Sequence, residues 1–177
     1  AIFFVRRRPC GEHRDQSLGA GALPRADAGI TVEAADSGRS RRDGVLMLSR
    51  GFPHWMAAQA RRKWEPLPID SGAPDLDGQT LCIVGLGQIG SELARLALAL
   101  GMTVIGIRRS PRRGEDPVDE LYPPRVLAEV LPRCQWLALT CPLTPETRGL
   151  IDAEKLACLP HGARIINVAR GEIIDDA

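Results

Sequence analysis

Aromatic residues are scarce in this sequence, at 4% of 177 residues. A base-stacking surface needs a series of them, so the chain is a poor candidate for single-stranded nucleic acid. A surplus of one charge is missing as well. The formal net charge of +1 sets up no long-range field to recruit nucleic acid or an anionic membrane. No apolar run approaches the ~20 residues of a membrane span. Ala1 to Val5 are apolar, but they precede Arg6, Arg7 and Arg8, the reverse of a secretory signal. That arginine run reads as a solvated face rather than an anion site. The three histidines are scattered: His13 in a loop, His54 on a polar helix face and His161 in a turn, none with a companion ligand. Cys10, Cys82, Cys134, Cys141 and Cys158 form no C-x-x-C pair, and some fall in or beside apolar runs. They read as reduced cytoplasmic thiols with no metal site.

What the chain does have is the composition of a globular protein, 44% hydrophobic and 25% charged, and one organised stretch. Leu81 to Val84 is a short apolar run, expected as a buried parallel strand. It stops at Gly85, and Gly85, Gly87 and Gly90 stand at G-x-G-x-x-G spacing. In a strand–turn–helix context the first glycine allows a tight turn. The second lets backbone approach a pyrophosphate, and the third lets the helix pack close to the strand. Gln88 to Leu100 carries Ile89, Leu93, Leu96, Ala97 and Leu100 at helical spacing, Gly101 suits a helix stop, and Val104 to Ile107 is a second apolar run. Strand, turn, helix and strand together make a βαβ unit, with free N–H groups and the helix dipole meeting where a diphosphate would sit. The rival reading is a glycine-rich turn of some other α/β protein.

The end of the second strand bears on which dinucleotide. NAD sites place Asp or Glu there to accept hydrogen bonds from the ribose hydroxyls. Here the place holds Arg108, followed by Arg109 and Ser110. A guanidinium pairs with a 2′-phosphate that a carboxylate would repel, and the Ser110 hydroxyl is a further donor. NADP(H) is therefore expected over NAD(H), with NAD(H) still possible. The rival is a solvated basic loop that continues through Arg112 and Arg113.

Elsewhere the pattern is less regular. Residues 1–43 are broken by Pro, Gly, Arg and Asp, and only Ile2 to Val5 and Ile30 to Val32 suit strands. Residues 44–64 look helical, with Val45, Leu46, Leu48, Phe52, Trp55, Met56 and Trp64 as an apolar stripe that Gly51 and Pro53 interrupt. Two tryptophans in so aromatic-poor a chain point either to a contact with another subunit or to core packing. Residues 65–79 read as a linker, Arg112 to Pro124 as a polar loop and Val126 to Leu131 as a short helix. Trp136 to Thr140 is a third strand ending at Cys141 and Pro142, which should line the cofactor cleft outside the strand ends. No base stands near Cys141, so lining is preferred to nucleophilic work. Thr144 caps a turn entered at Pro145, with Glu146 near its positive end. Asp152 caps a helix over Ala153 to Cys158. Residues 163–168 form a further strand with Arg170 at its cleft end, a guanidinium aimed at a substrate carboxylate or held in a structural salt bridge.

The segments GQTLCIVGLGQIGSELARLALALGMTVIGI and TCPLTPETRGLIDAEKLACLPHGARIINVARGEIIDDA resemble the NAD-binding domain of D-isomer-specific 2-hydroxyacid dehydrogenases. They are most similar to the NADPH-preferring glyoxylate/hydroxypyruvate reductase branch. PLTPETRGLI and NVARGEIID are the specific motifs. The resemblance covers residues 75–177 and extends loosely back through 50–66. It implies a Rossmann-type doubly wound parallel sheet, incomplete at the C-terminal end. It also implies an oxidoreductase acting on small 2-hydroxy and 2-oxo acids. Gln88 and Ile89 would meet the pyrophosphate through backbone, Arg108 stands where NAD-specific members carry Asp, and Cys141, Pro142, Val168 and Ala169 would line the nicotinamide. Arg170 matches the catalytic arginine that holds the substrate carboxylate and carbonyl. The family's catalytic Glu and His lie later in the chain than this arginine and have no counterpart before Ala177.

Residues 1–43 then read as a remnant of a substrate domain or as disorder, and 44–177 as a partial cofactor domain. Ala rather than Met at position 1, and a pattern cut short at Ala177, suggest a truncated or frame-disrupted gene product. On that view the sheet ends in an unpaired edge after Arg170, cofactor binds but turnover is lost, and residues 45–64 rescue stability by homodimerisation. The competing expectations are a non-functional gene fragment and a corepressor-like dinucleotide-binding protein.

Overall fold

The computed structural model describes residues 2–4, 45–66, 75–111, 114 and 116–175. The expected strand over Ile30 to Val32, the Arg6 to Arg8 run, His13, Cys10 and most of the linker lie outside the described residues.

A six-stranded sheet carries the fold: β1 (Ile2–Phe4), β2 (Thr80–Val84), β3 (Thr103–Ile107), β4 (Glu120–Tyr122), β5 (Trp136–Leu139) and β6 (Arg164–Asn167). The spatial order is β1-β6-β5-β2-β3-β4. β6, β5, β2, β3 and β4 run parallel, and β1 runs antiparallel to β6. From β2 the chain winds one way to β3 and β4, then returns to β5 and β6 on the other side. The gap between β2 and β5 is therefore the topological switch point, where α/β sheets bind ligands beyond their strand ends.

Alternation along the strands divides the core in two. Leu81, Ile83, Val104, Trp136 and Ala138 face α2 (Gln88–Ala99) through Leu93, Ala94 and Ala97. Cys82, Val84, Ile105, Ile107, Leu137 and Leu139 face the other way, onto Leu127, Leu131 and Leu159 around α3 (Leu127–Val130) and α4 (Ala153–Cys158). Both faces being covered explains why these strands read as continuous apolar runs. Buried Trp136 is held by its indole N–H donating to Gln79 Oε1 at 2.5 Å, with the Arg164 guanidinium 4.9 Å from the ring centroid.

The expected boundaries hold closely where period and cap agree. α2 ends before Gly101, which adopts φ +75°. Asp152 caps α4, its Oδ1 accepting from Lys155 N at 2.8 Å. Residues 45–49 are helical, Gly51 at φ 64° breaks them from α1 (Phe52–Ala60), and Pro53 sits in the first turn of α1.

Three expectations are corrected. The polar loop over Arg112 to Pro124 contains strand β4, paired to β3 from Ile105↔Glu120 to Ile107↔Tyr122. Its ends are pinned by polar groups that period alone does not show: Asp119 Oδ2 accepts from Val104 N at 2.7 Å, and Arg133 forks onto Glu120. The sheet does not stop at a bare β6 edge. β6's outward ladder groups pair with β1 (Ile2↔Ile166, Phe4↔Arg164), and any extended segment can satisfy such groups. The residues after Arg170 also fold back. Gly149 N donates to Glu172 O, Ile151 N to Ile173 O and Asp175 N to Ile151 O, and this buries Ile173 completely. Core packing of the apolar stripe holds only in part: Val45 and Leu48 are buried, whereas Phe52, Met56 and above all Trp64 (88% exposed) face outward.

Candidate active site

One row of backbone hydrogen bonds draws the parallel strand ends together. Arg108 N donates to Tyr122 O, Gly85 N to Ile107 O, Thr140 N to Val84 O and Val168 N to Leu139 O, all at 2.9–3.1 Å. Gly85, Arg108, Arg109, Cys141, Val168 and Ala169, all singled out from the sequence, lie on or directly after this row.

At its centre is the glycine turn. Gly85 has φ +102°, and a Cβ there would stand 2.7 Å from Cys141 N and Cα. A Cβ on Gly90 would stand 2.1 Å from Gly85 O and 2.9 Å from Thr140 Oγ1, so the helix meets the strand too closely for any side chain. At Gly87 a Cβ would meet nothing within 4 Å. Gly87 is the N-cap of α2, and no side chain caps it. The N–H groups of the first turn, at Gln88, Ile89 and Gly90, thus lack an intrahelical acceptor and lie at the positive end of the helix dipole. Gln88 and Ile89 are exposed. These features fit a dinucleotide pyrophosphate, which needs converging donors and close backbone access.

Sequence reading missed Thr140. Its hydroxyl donates to Gly85 O at 2.5 Å and lies 3.2 Å from Val84 O, which fastens the glycine turn to β5. A hydroxyl at the last position of an apolar strand was the available signal. Cys141 follows, 7% exposed. Burial pushes its thiol above the usual range, which suits a lining residue rather than a nucleophile. Exposed Pro142 accepts from the Thr147 hydroxyl at 2.7 Å. Residues 144–148 form a turn closed by Thr147 N and Arg148 N donating to Thr144 O. No helix starts there; Thr144 closes the expected turn through its carbonyl, with its hydroxyl 3.3 Å from that of Thr147. Glu146 is held below the ordinary carboxylate range, first by the Thr144 hydroxyl, with a smaller contribution from the charge of Arg109.

The strand-end arginines part company. Arg109 is exposed and Ser110 half-buried. Arg108 folds back: Nη1 and Nη2 donate to Asp116 Oδ1 and Oδ2 at 2.9 and 2.8 Å, Nη2 also to Pro111 O at 2.7 Å, and Nε to Ser110 O at 3.2 Å.

Beyond β6, half-buried Val168 and Ala169 lead to exposed Arg170. The backbone here is shaped by Asn167, a second residue missed in the sequence. Its Oδ1 accepts from Ala169 N at 3.0 Å and its Nδ2 donates to Arg170 O at 2.8 Å. The Arg170 guanidinium makes no ion pair among the described residues; its Nη1 donates to Ala169 O at 2.8 Å. An Asn beside a glycine-containing turn is the sequence signal for such a bend.

A family model described as D-isomer specific 2-hydroxyacid dehydrogenase, NAD binding domain, matches residues 44–177. The chain belongs to this family. D-3-phosphoglycerate dehydrogenase of Bacillus subtilis is 44% identical over 134 residues, 75% of this chain and 25% of that protein. A D-isomer specific 2-hydroxyacid dehydrogenase family protein from Aeromonas salmonicida superposes with TM-score 0.67 at 31% identity, covering 77% of this chain and 42% of its own. An NADPH-dependent glyoxylate/hydroxypyruvate reductase from Sinorhizobium meliloti, solved with NADP and sulfate, superposes with TM-score 0.64 at 30% identity, covering 76% and 42%. The chain thus spans a quarter to under half of these dehydrogenases, and what it shares with them is the NAD-binding domain. No helix among the described residues is long and apolar enough to cross a membrane.

Proposed function

We propose that this chain is the cofactor-binding half of a cytoplasmic reductase of small 2-oxo acids, of the glyoxylate and hydroxypyruvate type, with NADP(H) preferred to NAD(H). The uncapped α2 N-terminus at the switch point, with open space at Gly87, carries this reading. It supplies the donors a pyrophosphate needs. Gly85, Gly90 and Thr140 hold the cradle in shape, and Cys141, Pro142, Val168 and Ala169 are the candidates to line the nicotinamide. When bound, the cofactor supplies a hydride to the carbonyl carbon. Arg170, exposed and free of an ion pair among the described residues, is the candidate to hold the substrate carboxylate, since a guanidinium matches it in a two-point fork. The NADP(H) preference is supported by exposed Arg109 beside Ser110, by the absence of an acidic residue at position 108, and by the NADP-bound relative.

Expressed by itself, this polypeptide binds cofactor and turns over little. Neither described histidine is placed as a proton donor. His54 Nε2 lies 2.7 Å from Glu65 O, and His161 is an exposed turn residue. Loss of a positioned acid alone costs about 10²–10⁴ in rate. The outward Phe52, Met56 and Trp64 support homodimerisation through residues 45–64; a monodisperse monomer in sedimentation equilibrium would overturn that pairing. The cofactor reading is tested by thermal-shift titration with NADPH and NADH in parallel. Stabilisation should grow as RT ln(1 + [L]/Kd), about 2.7 kcal/mol at a hundredfold excess over Kd, and more for NADPH at equal concentration. No shift with either dinucleotide sinks the reading.

A further inference from the structure

The Arg108 side chain is 15% exposed and that of Asp116 is 9% exposed. Four hydrogen bonds, two of them forming a parallel fork onto one carboxylate, engage the guanidinium. Such a fork is among the stronger charge-assisted arrangements. The pair ties Asp116 back to the end of β3, which is further held by Arg108 N donating to Tyr122 O. The side chain at the end of this second βαβ strand is the one that meets the ribose. A 2′-phosphate arriving there finds that guanidinium taken. To claim it, the phosphate must displace Asp116 and separate a nearly buried carboxylate from that guanidinium, which is costly. Among the described residues of this strand end, exposed Arg109 is an accessible cation.

We infer that Asp116 is a specificity-determining residue: an internal competitor that occupies Arg108 and limits how strongly the site favours a 2′-phosphorylated dinucleotide over its unphosphorylated counterpart. The inference rests on the dinucleotide reading above. It makes Arg108 a reserve of affinity that Asp116 withholds. Asp116 need not touch the cofactor; it acts by positioning Arg108, and its effect appears in the ratio of two affinities rather than in either alone.

The test uses the full chain and equilibrium binding of NADPH and NADH, followed by nicotinamide fluorescence. Asp116→Asn keeps the shape and removes the charge, so Arg108 becomes available to the phosphate. NADPH binding should tighten by about tenfold, the equivalent of about 1.4 kcal/mol, while NADH binding changes by less than about twofold on the same scale. An unchanged NADPH:NADH ratio in Asp116→Asn overturns the inference. The double variant Arg108→Gln with Asp116→Asn exchanges a neutral ion pair for a neutral amide pair, and its ratio should stay within about twofold of wild type. A loss of about tenfold in that ratio means Arg108 already reads the phosphate in the wild type, and overturns the inference. Should Asp116→Asn lose its cooperative melting, Asp116→Ser, which also frees Arg108, takes its place with the same expected and the same overturning result. If wild-type protein binds neither dinucleotide, the cofactor reading itself has failed, and the inference falls with it. Binding of either one with no change among the variants sinks only the role of Asp116.

Discussion

Gly87 and Gly90 belong to one motif, yet the structure separates what they do. A methyl at Gly87 meets nothing within 4 Å, and the residue's φ −86°, ψ −164° is extended backbone that alanine also adopts. Gly87→Ala loses the mild preference for Gly over Ala at an N-cap, of order 0.5–1 kcal/mol. It recovers about 0.4–1 kcal/mol by restricting the unfolded chain. The two nearly cancel, so Tm should move by less than about 4 °C. The same methyl occupies the space a pyrophosphate must enter, so NADPH should no longer raise Tm. A methyl at Gly90 would stand 2.1 Å from Gly85 O and 2.9 Å from Thr140 Oγ1. Because one neighbour is backbone, α2 must move away from β2. Overpacking of this kind costs about 1–3 kcal/mol, or roughly 2–12 °C for a domain of this size. Differential scanning fluorimetry of wild type and both variants, with and without NADPH, checks all three statements. Unaltered NADPH stabilisation in Gly87→Ala would show that no pyrophosphate lies against this turn. A Gly90→Ala protein as stable as wild type would refute the packing argument.

Thr140→Val removes the hydroxyl bound to Gly85 O and should cost about 1–2 kcal/mol of stability together with some NADPH affinity. Thr140→Ser should restore both, and a Val variant that binds like wild type would show the turn to be rigid without it. Glu120 is held below its ordinary value of 4.5, first by the Arg133 fork and then by the Tyr122 hydroxyl. A carboxyl lowered in the folded state contributes stability that is complete above its unfolded value and fades as pH falls through the folded one. Urea denaturation should therefore show part of the stability lost on going from pH 6 to below 4.5, and Glu120→Gln should flatten that part; parallel pH profiles would contradict the assignment.

Much of this protein is local information. The glycine spacing, the apolar runs of β2, β3, β5 and β6, the Gly101 stop and the Asp152 cap each depend on residues within a turn or two of one another. Period and steric freedom reveal them without a partner. Arg170 at the end of β6 was legible for the same reason. Tertiary structure decided what joins distant segments. β4 is too short to show a period and exists because Asp119, Glu120 and the β3 edge hold it. The β6 edge is met by residues more than a hundred and fifty positions earlier. Thr140 reaches Gly85 across 55 residues. Arg108 illustrates the division most sharply. The sequence places a guanidinium at the end of β3, but only the return of the chain at Asp116 determines what that guanidinium holds. Position along a strand follows from a two-residue repeat. The partner of a charge follows from where the loop closes, and no repeat encodes that.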